Sequence, residues 1–284
     1  MTTKKPDHHL QPTLPMPSRI CRSYLFVPAN RLDRIAKAHA ALPHAVIVDL
    51  EDAVPPAEKA AARNALAQNA RAIGTVLVRV NGPESEWFEE DVKACLSIPV
   101  GGILVPKAEH ADHIRKVAAL MPPGIPVLPL IETALGFANA RSIAEVQGVQ
   151  RLVFGSVDFQ LDLGISGENE ELLYFRSGLV LASKLAGIQP PVDGVNADFN
   201  DLQSLREASL RARRQGFGAK LCIHPKQVPV VNTCFQPTDT EVAWAKRIVE
   251  AAQAAQGAAF AVDGKMVDRP VILQAMEIIR ESAQ

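Results

Sequence analysis

The sequence has few of the motifs that mark the more easily recognised functional classes. Its four cysteines form no C-x-x-C pair, which argues against a structural zinc site. It contains neither G-x-G-x-x-G nor a Walker-type GK[ST] segment, so it carries no glycine-rich phosphate loop. The 30 basic and 31 acidic residues are spread along the chain with no long block of either sign. We therefore expect neither a nucleic-acid partner nor an anionic-membrane partner.

Long apolar segments are also missing. No run reaches the ~18 apolar residues of a membrane-spanning helix. Residues 1–18 are rich in Pro, Thr and His and lack the apolar core of a secretory signal, so we expect a disordered tail there. The widely spaced cysteines are expected to be buried thiols, which fits a soluble protein of the reducing cytoplasm.

What the sequence does contain is an alternation of short apolar runs and segments with helical spacing. This alternation is typical of βαβ units around a parallel sheet. Eight strands in one chain of this length predict an α/β fold, a TIM (β/α)8 barrel with extra C-terminal helices. The predicted strands lie at 23–27, 45–49, 76–80, 102–105, 126–130, 151–154, 190–192 and 219–223. The predicted helices between them lie at 30–41, 57–71, 86–96, 109–120, 134–145, 169–187 and 199–215. The seventh strand is expected to be short because two prolines interrupt it.

We assign the catalytic barrel to residues 19–236 and a helical extension to residues 237–284. Helical spacing recurs at 226–234, 238–256 and 269–283, and Asp263-Gly264 predicts a turn between the last two segments. This extension is more than barrel closure requires. We expect it to cover the barrel or to pack on a neighbouring subunit.

Two acids follow consecutive predicted strands, Glu132 in LPLIET and Asp158 in VFGSVD. The strand C-termini of such a barrel form one open face, so both carboxylates are expected to converge there. Adjacent carboxylates repel each other unless a cation compensates. Mg²⁺ takes one or two carboxylates together with water and substrate oxygens. We predict that both are Mg²⁺ ligands; the alternative is two exposed or helix-capping acids.

Arg79 ends the third predicted strand, where an unpaired guanidinium is costly to bury. Its planar fork suits a carboxylate or an enolate oxygen, although a structural ion pair with Asp49 or Glu51 would explain the same position. We expect Asp49, Glu51 and Asp52 in DLED to orient Arg79 or to hold metal-bound water. Lys107 is not expected to form a Schiff base, because nearby carboxylates raise the pKa of an amine.

At these residues the chain resembles the citrate lyase beta-subunit-like branch of the HpcH/HpaI aldolase family. Eight segments follow each other in the family's order, which makes the resemblance specific. They are RSYLFVPANR (22–31), HAVIVDLEDAV (44–54), VRVNG (78–82), LVPKAE (104–109), PLIETALGFANA (129–140), FGSVDFQLDLG (154–164), IHPKQV (223–228) and DGKMVDRPV (263–271).

The resemblance implies a Mg²⁺-dependent carbon–carbon lyase, or the reverse synthase. Its substrate would be a short β-hydroxyacyl-CoA such as citryl-, malyl- or citramalyl-CoA, and its products an acyl-CoA and a keto acid. Glu132 and Asp158 would hold Mg²⁺, and Glu132 and Arg79 would contact the substrate. Arg22 would lie near the coenzyme A phosphates or the substrate. The chain would form a homotrimer in which Asp268 of one subunit reaches the next barrel as an acid/base group.

The segments depart from the family pattern at three positions. Ala29 and Leu32 stand in VPANRLDR where many relatives have VPGNRP. Phe159 stands where a second acid often follows the ligand Asp158. These departures leave the predicted metal site intact and bear on acyl-group and coenzyme specificity.

Two other functions stay open. One is a Mg²⁺-dependent keto-acid enolate aldolase that uses a free aldehyde. The other is a non-catalytic subunit of a larger lyase complex with acyl-carrier partners, although retention of Glu132, Asp158, Arg79 and Asp268 together argues against a decayed site.

Overall fold

The computed structural model of the protein describes residues 20–254 and 260–283. Eight parallel strands form a closed barrel in chain order, and the last strand pairs with the first. The strands are β1 (Ser23–Pro28), β2 (Ala45–Asp49), β3 (Val76–Arg79), β4 (Val100–Val105), β5 (Val127–Ile131), β6 (Val153–Phe154), β7 (Val192–Asp193) and β8 (Ala219–Cys222). The predicted TIM barrel is confirmed, and the seventh strand is short, as expected. The predicted tail lies outside the described residues.

Helices follow the strands around the barrel. They are α1 (Ile35–Ala40), α2 (Lys59–Ile73), α3 (Phe88–Leu96), α4 (Ala111–Leu120), α5 (Ala134–Ala138), α6 (Ala140–Ala144), α7 (Ser156–Leu163), α8 (Leu173–Leu185), α9 (Leu202–Arg214) and α10 (Gln227–Phe235). The helix predicted over 134–145 is divided at Asn139, whose side-chain amide donates to the Glu109 carbonyl oxygen at 2.8 Å. Helix α7 was not predicted. It places Asp158 in a first helical turn, four residues beyond β6, rather than directly at the strand end.

Alternating strand residues divide the core into two layers. Side chains such as Tyr24, Ile47 and Leu104 fill the interior of the barrel, and a larger apolar cluster lies between strands and helices. This is the expected arrangement when successive strand residues face opposite sides of the sheet. A filled interior leaves the strand ends as the place for a site.

The extension consists of α11 (Asp239–Ala254), α12 (Arg269–Ser282) and a hairpin of β9 (Phe260–Val262) and β10 (Lys265–Val267). The hairpin was not predicted, but its turn was. Asp263 and Gly264 both have positive φ, at 51° and 75°, as a two-residue type I′ turn requires. The extension has an apolar cluster of its own, built on Ala245, Ile248 and Ala275.

Three of the four cysteines are buried, as expected. Cys95, Cys222 and Cys234 are buried, and burial raises the pKa of Cys95 and of Cys222 to about 12. Thiols with such a raised pKa are poor nucleophiles. Among the helices that the structure describes, none has the length and apolarity needed to cross a membrane.

Candidate active site

The C-terminal ends of the strands open into a cavity of about 880 Å³. Arg79, Glu132 and Asp158 all line it, together with Asp49 and Asp52. These residues come from four different strand ends, and the barrel brings them together although they are far apart in sequence. The structure therefore confirms the prediction that these side chains converge on one face of the barrel.

Glu132 lies at the end of β5 and is only 3% exposed. One of its oxygens, Oε1, accepts a hydrogen bond from the Lys107 backbone N–H at 2.7 Å. Lys107 has a φ of 48°, a left-handed conformation that is unusual for a side chain of this kind. Burial, the nearby charge of Glu51 and that of Asp158 raise the pKa of Glu132 to about 8. A buried carboxylate with so high a pKa lacks a sufficient positive partner.

Gly155 makes the space that Glu132 occupies. A Cβ atom at this position would lie 2.6 Å from the Glu132 Cβ and 2.7 Å from its second oxygen, Oε2. Any side chain here would push the carboxylate away. Gly155 therefore forms part of the site through the room it leaves, a role that sequence reasoning missed.

Asp158 is exposed to the cavity in the first turn of α7. A carboxylate there also interacts favourably with the helix dipole. This position is therefore also compatible with the alternative that Asp158 is an exposed acid at a helix start. Its charge is close enough to contribute to the raised pKa of Glu132. The two acids thus share one region of the cavity with like charge.

These residues fit a bound Mg²⁺ ion. Within the described ranges, no group of three or more His, Cys, Asp or Glu side chains is arranged around a common metal position, so a closed, all-protein metal cage is not present there. A pair of hard carboxylates opening on a cavity is what Mg²⁺ uses when water and substrate complete its shell. Burial first, and the charges of Glu51 and Asp158 after it, raise the pKa of Glu132, so a cation bound here would stabilise its ionised form.

Arg79 is held in place by acids of the DLED segment, as expected. Its Nε and Nη2 donate to the two oxygens of Asp49 at 2.7 and 2.6 Å, and Nη1 lies 3.0 Å from Glu51 Oε2. Its guanidinium carbon lies 5.0 Å from the centre of the Phe26 ring. Burial disfavours the charge, but the hydrogen bonds and charges of these acids outweigh it and raise the pKa of Arg79. The guanidinium is therefore permanently charged and fixed in orientation.

Two neighbours of Arg79, Glu51 and Lys107, line an adjacent cavity of about 680 Å³ rather than this one. Burial raises the pKa of Glu51 to about 7, against the opposing charge of Arg79. The ammonium of Lys107 lies 3.4 Å from Glu51 Oε1. Partial burial disfavours the charge on Lys107, but Glu51 and Asp52 raise its pKa overall. The expectation that Lys107 is not a nucleophilic amine agrees with this geometry.

The structure does not bring Arg22 to this site. Arg22 precedes β1, so it lies at the N-terminal end of the barrel, opposite the cavity that contains Glu132. Its guanidinium is buried and donates to the Glu281 carbonyl oxygen in the last turn of α12 at 2.8 Å. The prediction of a substrate-binding role for Arg22 is corrected accordingly.

Asp268 also lies outside the cavity of its own chain. It caps the N-terminus of α12, where its carboxylate accepts the Val271 N–H at 3.3 Å, and it is exposed. Within one chain it therefore does not meet Arg79 or Glu132. Its delivery to a neighbouring barrel stays a prediction.

The three departures from the family pattern are packing positions. Phe159 is fully buried, with its ring centre 5.2 Å from that of Phe154 and 4.8 Å from that of Phe175. Ala29 is fully buried and Leu32 packs against the core. None of the three lines the cavity, so none of them would affect specificity through direct contact with a substrate bound there.

Sequence reasoning missed a basic group at the mouth of the cavity. Arg31, Arg34 and Lys37 line it from the segment that follows β1. Their spacing of three residues was visible in the sequence, although Arg31 itself has non-helical φ and ψ of −130° and 48°. His224 lines the same mouth and stacks on Phe199, with ring centres 4.8 Å apart. Asp33 lines the same cavity and pairs with Arg31 at 2.9 Å, so the net positive charge here comes from Arg34 and Lys37, beside a flat ring surface.

Comparison with known proteins identifies the family. The model of the HpcH/HpaI aldolase/citrate lyase family matches residues 22–225. The chain belongs to this family. A citrate lyase subunit beta-like protein of Deinococcus radiodurans is 39% identical over 285 residues, which cover 94% of this chain and 99% of the relative. A (3S)-malyl-CoA thioesterase of Cereibacter sphaeroides is 34% identical over 272 residues, which cover 92% and 94%.

Solved structures agree with this assignment. CitE of Mycobacterium tuberculosis, in complex with magnesium, acetoacetate and coenzyme A, has a TM-score of 0.82 and 33% identity over 93% of this chain and 99% of that one. The citrate lyase beta subunit of M. tuberculosis with oxaloacetate and magnesium has a TM-score of 0.68 and 33% identity over 77% and 98%. The predicted family, its citrate lyase beta-like branch and the lyase class are confirmed.

Proposed function

We propose that this family member is a Mg²⁺-dependent carbon–carbon lyase, or the reverse synthase, for a short β-hydroxyacyl-CoA. The observation that carries the proposal is one cavity in which the Glu132 and Asp158 carboxylates lie with the Arg79 guanidinium. Relatives with magnesium, keto acids and coenzyme A bound support it. Citryl-, malyl- and citramalyl-CoA are the candidate substrates, and each would give an acyl-CoA and a keto acid.

Glu132 and Asp158 would hold the ion, which when bound supplies a Lewis acid for the substrate oxygens. The Lys107 N–H keeps Glu132 in position. Because one acceptor oxygen of Glu132 is already occupied, the other is left for the ion. Electrostatic stabilisation depends on such groups being in place before the reaction.

Arg79 would bind the carboxylate of the keto acid and stabilise negative charge as it develops on oxygen. Asp49 fixes the guanidinium, so little reorganisation is needed when charge appears. The contact from Nη1 to Asp52 is the longest in the network, 3.4 Å to a side chain that is 61% exposed. A substrate anion can replace this contact without breaking the buried pair.

The mouth of the cavity favours a coenzyme A ester over a free aldehyde. The cations of Arg34 and Lys37 suit phosphate groups, for which guanidinium and ammonium are the usual partners, and Arg31 could join them by exchanging its pair with Asp33 for a phosphate. The acyl end of such a ligand would point inward toward Glu132. A small aldehyde carries no phosphate group that these cations could bind.

We further propose that Asp268 acts from a neighbouring subunit of a homotrimer. Two exposed apolar surfaces support such a contact. The rim patch, beside Asp158, consists of Leu135, Val157, Leu161 and Tyr174, and the extension patch, near Asp268, consists of Met266, Leu273 and Met276. Unlike surfaces that meet head to tail close into a ring when the rotation allows it. In this arrangement Asp268 would protonate the enolate carbon in cleavage, or deprotonate acetyl-CoA in synthesis.

An assay of the purified chain tests the proposed reaction. Each of the three CoA esters is supplied with and without Mg²⁺, and the products are identified by mass spectrometry. An acyl-CoA and a keto acid are expected only with Mg²⁺. Release of free CoA and an intact hydroxy acid would instead show thioester hydrolysis, the activity named for the relative in Cereibacter sphaeroides. No turnover of any ester, with normal Mg²⁺ binding, would contradict the proposal.

Mixing two inactive variants tests the contribution of the neighbouring subunit. Glu132→Gln removes a metal ligand, and Asp268→Asn removes the acid/base group. If the two groups act across an interface, co-expressed variants in a ring regain about a quarter of the wild-type sites by random assembly. No recovery would show that Asp268 acts within its own chain or not at all. Light scattering gives the number of subunits. Fractionation of the native cells tests the proposed cytoplasmic location, because the protein should then be found in the cytoplasmic fraction.

A further inference from the structure

Arg22 makes an unusual long-range contact at the bottom of the barrel. Its side chain is 2% exposed, and Nη2 donates to the Glu281 carbonyl oxygen at 2.8 Å across 259 residues of sequence. Its Nε is buried without a hydrogen-bond partner. A cavity of about 300 Å³ adjoins the contact, and Glu277 and Arg280 of α12 line it with Arg22. Polar groups beside this cavity therefore contribute to the junction of α12 with the barrel.

The chemistry of a helix end explains why an arginine binds there. The last carbonyl groups of a helix have no partner within the helix, and the helix dipole makes this end negative. A guanidinium satisfies both requirements, because it donates hydrogen bonds and carries a positive charge. Arg22 thus acts as a cap supplied by the barrel to α12.

Other contacts also bear on the direction of the extension, among them the charge of the Glu281 carboxylate close to Arg22 and Arg213. Its apolar cluster lies between α11, α12 and the hairpin and is separate from the barrel core. An ion pair, from Arg213 of α9 to Glu241 of α11 at 3.0 Å, joins the other helix to the barrel. That pair is partly exposed, and such pairs contribute ~1 kcal/mol or less. Arg22 makes the less exposed of these two polar connections.

From this geometry we infer that Arg22 is a positioning residue for the reaction: by holding the end of α12, it sets the place of Asp268 at the other end. The inference rests on the proposed acid/base role of Asp268. With a rise of 1.5 Å per residue, Asp268 lies about 20 Å along the helix from Glu281. A tilt of about 5° at the Arg22 end would therefore move Asp268 by about 2 Å. Misplacement of a reacting group by ~1 Å can cost on the order of 10²-fold in rate.

The test compares Arg22→Met with Arg22→Lys in the full-length protein. Methionine keeps much of the aliphatic volume and removes every donor, whereas lysine retains a charge and a donor. We expect kcat to fall on the order of 10²-fold in Arg22→Met, with Mg²⁺ affinity and KM unchanged, and to recover partly in Arg22→Lys. Hydrogen exchange of the α12 amides should become faster in Arg22→Met while exchange in β5 stays as in the wild type. A merely structural role would not separate kcat from KM in this way.

Several results would overturn the inference. Unchanged exchange in α12 would show that Arg22 does not hold the helix. Faster exchange with unchanged kcat, in a protein that Asp268→Asn inactivates, would show that the contact does not position Asp268. A fully active Asp268→Asn variant would refute the acid/base role itself and the inference with it, whatever the outcome of the CoA-ester assay. If Arg22→Met does not fold, Arg22→Gln is used instead, which removes the charge and shortens the donor; the same fall in kcat at constant Mg²⁺ affinity is expected, and a wild-type kcat would count against the inference.

Discussion

The raised pKa of Glu132 makes Mg²⁺ binding depend on pH in a predictable direction. The value of about 8 compares with 4.5 for an ordinary glutamate. Each pKa unit corresponds to ~1.4 kcal/mol, so without the ion the ionised form costs on the order of 5 kcal/mol of stability. This stability is present in full below pH ~4.5 and is lost as the pH rises through ~8. We therefore expect the ion-free protein to become less stable between pH 6 and pH 9.

Mg²⁺ reverses this trend because it binds the ionised carboxylate. Below the pKa of Glu132 one proton leaves as the ion binds, so the apparent Kd falls about tenfold for each pH unit gained. Between pH 6 and pH 9 the affinity thus rises about 100-fold, which adds ~2.7 kcal/mol to the stabilisation at a fixed Mg²⁺ concentration. For a chain of this length that corresponds to about 5 °C in Tm.

Thermal unfolding with EDTA or with Mg²⁺, at pH 6, 7, 8 and 9, measures both effects. Glu132→Gln is the decisive variant, since it keeps the shape and cannot ionise. Its ion-free Tm should fall less with pH than that of the wild type, and Mg²⁺ should not raise it. Glu51, with a pKa of about 7, titrates in both proteins and also raises the pKa of Glu132, so the difference between the two proteins reports Glu132 together with its coupling to Glu51. Glu86→Gln, at an exposed position, is the matched control and should behave as the wild type.

Two outcomes would refute this reasoning. The first is a Mg²⁺-induced rise in Tm that is the same at pH 6 and at pH 9. The second is a Glu132→Gln variant that responds to Mg²⁺ as the wild type does. Either would mean that the ion binds elsewhere or that the burial of Glu132 does not control its ionisation.

Three further predictions concern side chains around the site. Gly155→Ala should weaken Mg²⁺ binding by ~10–100-fold, because the new Cβ would lie 2.6 Å from the Glu132 Cβ. Isothermal titration measures this affinity. Gly82→Ala is the control and should bind Mg²⁺ normally, since its Cβ would lie 3.5 Å from its nearest neighbour. Asp193→Asn should lower the free energy of unfolding in urea by about 3–5 kcal/mol, since it removes the charge that pairs with buried Lys220; a loss below ~1 kcal/mol would contradict this. Phe159→Ala should cost about 3–5 kcal/mol and leave the order of preference among the three CoA esters unchanged, so an altered order in the product assay would show that Phe159 acts on specificity.

Much of the site follows from one topological rule. Residues at the C-terminal ends of parallel strands meet on one face of a barrel, and this rule alone predicts that Arg79 and Glu132 lie together. The same rule puts Arg22, which precedes its strand, at the opposite end. The resemblance to the family had suggested a substrate contact there, and the topology corrects it.

Other features left little trace in the sequence. Asp158 belongs to the first turn of α7, a helix too short for its apolar spacing to be recognised. The role of Gly155 depends on how close another strand end comes to it, and that distance has no counterpart along the chain. Lys107 contributes through its backbone N–H, which every residue except proline possesses.

The order of apolar runs was enough by itself to predict the barrel, because a barrel depends on local periodicity and on connection rules, and the eight ordered motifs indicated the family. The strand-end positions predicted that Arg79 and Glu132 meet, and the assignment of Glu132 and Asp158 as Mg²⁺ ligands stays a prediction. Only the tertiary structure decided how buried Glu132 is, which acids hold Arg79, and where α12 meets the barrel. Those properties arise from distances between segments that are remote in sequence. A contact such as that between Arg22 and Glu281, 259 residues apart, exists only once the whole chain has folded.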